Sequence, residues 1–219
     1  MWRRLAGILV LVAAAAISAS PAISATPARA RVFEITPYYG YRLGGEFTDF
    51  STYGVDNLEI KDGDAWGIIL TFNVNPATQV EFQYSQQSSS LVGSGFVFVP
   101  TGSDVLDLDV ENWLLGWTYT GGTPRNQARA FGGVCVGVTN FEPETAGFEG
   151  DAQFAFGIYG GVKVAVAKHL GLRFQAQWVS TWVGSNSDVF CDPYGFCYTV
   201  SDASYLNQVE LAAGITLRF

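Results

Sequence analysis

The chain has 219 residues, with 12 Lys and Arg against 20 Asp and Glu, a formal net charge of −8, 25 glycines and 15% aromatic residues. A surface this acidic is a poor match for nucleic acid. Beyond the amino terminus no run approaches the roughly 18 uninterrupted apolar residues of a membrane-spanning helix, which leaves strands to carry the fold.

The amino terminus opens Met1-Trp2-Arg3-Arg4, continues through an apolar run from Leu5 to Ile17, and reaches the triplet Ala28-Arg29-Ala30. A charged start, a short oily stretch and an A-x-A pattern predict a secretory signal peptide over residues 1–30, cleaved after Ala30 or earlier, around Ala25. No cysteine follows the oily stretch to serve as a lipid anchor. Cleavage removes Arg3, Arg4 and Arg29 and makes the mature chain more acidic still. Residues 31–219 are enough for one barrel domain and too few for a second of ordinary size.

Period-two alternation between turn signals predicts eight strands. They run near Val32 to Phe47, Ala65 to Val74, Gln79 to Gln87, Val105 to Thr120, Ala128 to Val138, Gln153 to Val166, Leu172 to Val183 and Tyr205 to Phe219. Their connections alternate in length. The second, fourth and sixth are short, built on Asn75-Pro76-Ala77-Thr78, Gly121-Gly122-Thr123-Pro124 and Lys168-His169-Leu170-Gly171, and the other four are long. An even number of strands with short turns at one end and long loops at the other predicts an all-β, eight-stranded antiparallel up-and-down transmembrane β-barrel. Both termini then fall at the short-turn end, the periplasmic side.

The faces separate cleanly. Outward are Ile68, Leu70 and Phe72; Trp113, Leu115, Trp117 and Tyr119; Val134, Val136 and Val138; Leu172, Phe174 and Trp178. Inward are Thr71, Gln83, Asn112, Thr118, Tyr159, Gln175 and Gln177. Trp66, Trp113, Trp178, Trp182, Tyr38, Tyr39 and Tyr41 stand where interfacial aromatic girdles form. A soluble barrel of lipocalin type would hold its long apolar face inside, not outside.

The last strand, Asn207 to Phe219, alternates most strictly: Val209, Leu211, Ala213, Ile215, Leu217 and Phe219 share an oily face, and Gln208, Glu210, Thr216 and Arg218 a polar one. An alternating final strand closing on Phe behind an export signal resembles the small Gram-negative outer-membrane barrels of the OmpA, OmpX and OmpW types. The resemblance implies that Phe219 is the assembly signal read by the barrel assembly machinery. It further implies a monomer in the bacterial outer membrane, surrounded by outer-membrane lipid and lipopolysaccharide. No peptidoglycan-binding domain follows Phe219, so cell-wall anchoring is not carried over.

Six charged residues are expected to share the lumen: Glu34, Glu81 and Glu210 with Arg42, Lys163 and Arg173. An eight-stranded interior is just wide enough for side chains to fill. Unpaired charges there are very costly, so a buried ion-pair network is favoured over the lining of a pore. Acidic residues collect instead in the long loops: Glu46, Asp49, Asp56, Glu59, Asp62 and Asp64; Asp104, Asp107, Asp109 and Glu111; Glu142, Glu144, Glu149 and Asp151; Asp188, Asp192 and Asp202. The opposite rim is basic, with Arg31, Arg125, Arg129, Lys168 and Arg218. A dedicated calcium site at Asp104, Asp107 and Asp109 is disfavoured, because EF-hand spacing and its glycine are missing. No metal and no cofactor are expected.

Cys191 and Cys197 bracket Asp192-Pro193-Tyr194-Gly195-Phe196, which in an exported protein reads as a local disulfide. Cys135, among Gly133 and Gly137, reads as a small core residue. The single histidine, His169, lies in a short turn far from the long loops, so no base stands ready beside a nucleophile and the chain is expected not to be an enzyme. The expected function is that of a surface protein supporting envelope integrity or external contacts through its long acidic loops. The alternative is a narrow channel for small or hydrophobic solutes.

Overall fold

The structure, a computed structural model, describes residues 33–45, 57–94, 103–123, 126–143, 151–184, 187–191, 197–200 and 204–219. The leader expected over residues 1–30, and Arg31, Glu46, Asp49, Asp56, Arg125, Glu144, Glu149, Asp192 and Asp202, lie outside the described residues.

The strands are β1 (Phe33–Leu43), β2 (Asn57–Ile60), β3 (Gly63–Asn73), β4 (Thr78–Ser94), β5 (Ser103–Thr120), β6 (Ala128–Pro143), β7 (Asp151–Ala165), β8 (Leu170–Val183), β9 (Ser187–Cys191), β10 (Cys197–Val200) and β11 (Ser204–Arg218). Eight of them, β1, β3 to β8 and β11, pair antiparallel in a ring. β11 returns to β1 with Arg42 opposite Glu210, and β4 closes on β5 with Phe82 opposite Leu115. The result is a closed up-and-down barrel with no sheet edge left around its wall, the condition for crossing lipid with strands.

Three short connections define one end of the barrel. In the first, the Asn75 side chain accepts from the amides of Ala77 and Thr78 at 2.9 and 2.8 Å, fixing the turn. In the second, Gly122 takes a left-handed φ of 79°, which suits glycine. In the third, the amides of Val166 and Ala167 both reach the Leu170 carbonyl. The start of β1 and the last residue meet at this end, where the Phe219 amide donates to the Phe33 carbonyl at 3.0 Å.

Several strands outrun their sequence signal. β4 continues to Ser94 and β6 to Pro143, with Ser88 opposite Asp109 and Asp109 opposite Glu142. Hydroxyls and carboxylates there show no apolar alternation, so the ladder extends on backbone pairing that periodicity does not report. β2 continues the line of β3 along the end of β4, and β9 and β10 form a separate two-stranded sheet.

The two faces follow the alternation. Trp117 is 55% and Leu211 57% exposed on the outside, while Glu81 on the inside is fully buried. Tyr38 is the exception to the expected girdle. It is only 9% exposed, whereas its neighbours Tyr39 and Tyr41 face outward. Adjacent strand residues point to opposite faces, so Tyr38 cannot share a belt with Tyr39. Its ring packs in the lumen against Gly67, where an added Cβ would fall 2.7 Å from the ring. Tyr159 lies similarly across Gly116 and Gly133, its hydroxyl bonded to Thr118 at 2.6 Å.

Candidate functional site

The lumen is where the chain concentrates its buried polar chemistry, and it is built in three tiers. Nearest the short turns, Arg173 of β8 reaches across to Glu81 of β4 with Nη1 on Oε1 at 2.7 Å and Nη2 on Oε2 at 2.8 Å. Lys163 of β7 stands 3.3 Å from both Glu81 and Glu34 and donates to Gln79 Oε1 at 2.7 Å. Arg218 approaches Glu34 at 3.4 Å without hydrogen-bond alignment. Gln175 accepts from Arg173 Nε at 2.9 Å and donates to Gln177 at 2.8 Å, and Gln177 in turn points its amide at the Cys135 sulfur, 3.7 Å away. The Arg173 guanidinium also lies over the Phe131 ring at 4.3 Å. Both oxygens of Glu81 are therefore held, and its charge is met by two cations.

Arg42 and Glu210 form a second node toward the long-loop end. Arg42 places Nε 2.9 Å and Nη2 2.6 Å from Glu210 Oε2, and Nη2 also donates to Ser85 Oγ at 2.6 Å. Asn112, with its amide oriented to satisfy both sides, accepts from Arg42 and donates to Thr139 at 2.7 Å. Thr139 passes the chain on to Thr181 at 2.9 Å. Between the two nodes lies an apolar cluster that includes Leu114, Cys135, Ala155, Tyr159 and Val179. The six charged residues expected in the lumen thus all lie there, four in one cluster and two in another.

The third tier was legible in the sequence only in part. Ile60, Leu108, Val110, Phe141, Val183 and Leu206, each 3% exposed or less, close the lumen above Arg42. Ile60 belongs to β2 and Phe141 to an extension of β6 that alternation did not report, whereas Leu108 lies within the strand expected from Val105 to Thr120. Among these tiers several buried polar atoms find no protein partner: Gln83 Oε1, Gln87 Oε1, Glu210 Oε1 and both amide atoms of Gln208.

The remaining candidates are scattered. Cys191 and Cys197 face each other in the β9–β10 register, while their side chains lie outside the described residues. Cys135 is a buried free thiol. His169 is exposed at the short-turn end, its Nδ1 3.0 Å from the Arg218 carbonyl. Asp107 and Asp109 accept from Ser90 and Gln86 at 3.0 Å each, and the Asp104 side chain lies outside the described residues. Phe219 is exposed, its ring 6.2 Å from that of Phe33.

No curated protein matches this chain by sequence. Among solved structures it is similar to the outer membrane protein OprG of Pseudomonas aeruginosa, at 12% identity and a TM-score of 0.58, covering 86% of this chain and 97% of that one. It is similar also to Neisserial surface protein A, at 13% identity and a TM-score of 0.56, covering 85% and 97%. At these identities the likeness speaks to the fold. The family model described as outer membrane protein beta-barrel domain matches residues 9–219, and the chain belongs to that family of outer-membrane barrels.

Proposed function

We propose that this protein is a closed, non-enzymatic barrel that works from the outer-membrane surface, supporting envelope integrity or external contacts through its long acidic loops. One observation carries this: among the described residues the lumen holds two buried ion-pair nodes and an apolar cap, with Glu81, Arg173, Arg42 and Leu206 all within 2% of complete burial. A filled interior leaves the loops as the part free to act. The termini lie on the periplasmic side and the loops outside, amid lipopolysaccharide, in keeping with the short-turn rule for such barrels. The chain is exported by a cleaved leader over residues 1–30, inserted by the barrel assembly machinery through Phe219, and works as a monomer without metal or cofactor. The β9–β10 hairpin is stapled by a Cys191–Cys197 disulfide, supported by their cross-strand register. Planar-bilayer recording of the refolded protein tests the closed barrel: a silent membrane is expected, with folding verified by heat-modifiable gel mobility. Discrete conductance steps would overturn it in favour of a narrow channel, which the unpartnered lumen atoms of Gln83, Gln87 and Gln208 favour as the second reading.

A further inference from the structure

The tier nearest the short turns carries more positive charge than its carboxylates balance. Glu81 is held by Arg173 and Lys163, and Glu34 by Lys163 and Arg218. Arg129 of β6 interacts electrostatically with both Glu34 and Arg218 at the same mouth. Four cations thus face two carboxylates, and no other carboxylate lies at this end among the described side chains.

The excess sits at the mouth of the lumen, not in its depth. Arg129 directs its guanidinium at backbone carbonyls, donating to Pro76 at 2.7 Å, Gly121 at 3.2 Å and Thr120 at 3.4 Å. Arg218 Nε is buried without a hydrogen-bond partner, 3.4 Å from Glu34 Oε1. Neutral carbonyls orient a guanidinium without cancelling its charge. A positive field therefore leaves the mouth, focused by the low-dielectric wall around it.

The fold sets an exposed base in that field. Lys168 and His169 are the exposed tip of the turn between β7 and β8. The turn is tied to β11 in both directions, the Arg218 amide donating to the His169 carbonyl at 3.0 Å and His169 Nδ1 lying 3.0 Å from the Arg218 carbonyl. A Cβ at Gly171 would fall 2.9 Å from Arg218 Nη2, so the guanidinium rests on the backbone of β8 just past Lys168.

Beside this base the outer wall is apolar. Val166, Leu170, Leu217 and Phe219 are all exposed there, with Leu170 directly opposite Leu217. An ammonium group set at the edge of an apolar collar fits a phospholipid, whose acyl chains meet the collar and whose phosphate meets the base. A soluble polyanion would meet the charge and leave the collar unused. The loop end has the opposite sign, with Asp64, Asp107 and Glu142 exposed, and repels the same headgroup.

We propose that the β7–β8 turn and the end of β11 bind an anionic phospholipid of the inner leaflet, phosphatidylglycerol in type. Lys168 meets the headgroup phosphate, and Arg129 and Arg218 supply the attracting field from the mouth behind it. This rests on the periplasmic placement of the short turns given above and goes beyond it by naming a lipid partner.

The folded protein is placed in mixed micelles holding equal amounts of phosphatidylglycerol and phosphatidylcholine with the same acyl chains, and the lipids it retains are read by native mass spectrometry. Phosphatidylglycerol is expected in large excess. Lys168→Gln lowers that excess roughly fivefold, the worth of one base near an anionic lipid surface. Asn207→Asp, which shifts the net charge by the same amount at the exposed loop end of β11, leaves it unchanged. Heat-modifiable mobility verifies folding of each variant. Equal retention of the two lipids would overturn the proposal, and so would an equal loss in Asn207→Asp, which would reduce the effect to net charge. Displacement of the lipid by inorganic phosphate would overturn it as well, making the site one for soluble anions. Micelles have no sides, so these results do not depend on the orientation of the barrel. Orientation is read from Lys168→Cys in cells, where a membrane-impermeant thiol reagent is expected to modify it only after the outer membrane is permeabilised. Modification in intact cells would overturn the periplasmic placement, and the inner leaflet with it, while binding in micelles would stand.

Discussion

Arg173 and Glu81 clasp one another across the barrel in a two-point bond, Nη1 to Oε1 at 2.7 Å and Nη2 to Oε2 at 2.8 Å, joining strands that are not neighbours in the wall. The pair ties β8 to β4 through the interior. Removing one partner strands a buried charge, at a cost of about 3–5 kcal/mol. Glu81→Gln is expected to lower resistance to urea by that order, measured as loss of the heat-modifiable band. Because Lys163 also faces Glu81, Arg173→Gln with Glu81→Gln should cost less than the two single changes summed.

Glu210→Ala removes the only carboxylate bonded to Arg42 among the described residues and leaves its guanidinium with Ser85, Asn112 and the Val110 carbonyl. Neutral partners do not balance a buried cation. A loss of about 3–5 kcal/mol is expected, read from urea unfolding in detergent. Wild-type resistance in this variant would mean that the upper node contributes nothing to stability.

Leu115 projects from β5 on the outward face and is 56% exposed. If that face meets hydrocarbon, Leu115→Arg should destabilise the barrel by about 2–4 kcal/mol in lipid vesicles. The same change at Thr123, in the short turn, should cost far less. Equal tolerance at both sites would place Leu115 outside the hydrocarbon band.

Cys191 and Cys197 are opposed in register across the β9–β10 hairpin. Denatured, unreduced protein should take up thiol reagent at Cys135 alone, and reduced protein at three sites. Three modified cysteines without reductant would dispose of the disulfide.

Phe219 carries a main-chain bond to Phe33 and an exposed ring, so truncating the ring leaves the wall pairing in place. Phe219→Ala should therefore reduce the amount of folded protein reaching the outer membrane of cells far more than it lowers the stability of barrel refolded in detergent. Equal losses in both assays would make Phe219 a packing residue and not an assembly signal.

The sequence by itself determined the wall. Strict two-residue alternation in Asn207 to Phe219, and in stretches such as Trp113 to Tyr119, decides which side chains face out, because a strand offers only two faces and lipid and lumen demand opposite chemistry. The short turns, with their glycines and Asn75, settled the order of strands. Tertiary structure alone decided how the lumen charges divide. Arg42 and Glu210 separate from Glu34, Glu81, Lys163 and Arg173 because barrel tilt and register, invisible in any one strand, set which side chains share a level. The cap is of the same kind: Ile60 sits in a four-residue strand too short to show a period, and its burial depends on the end of β1, distant in sequence, where Gly44 and Gly45 leave room for its backbone to pass.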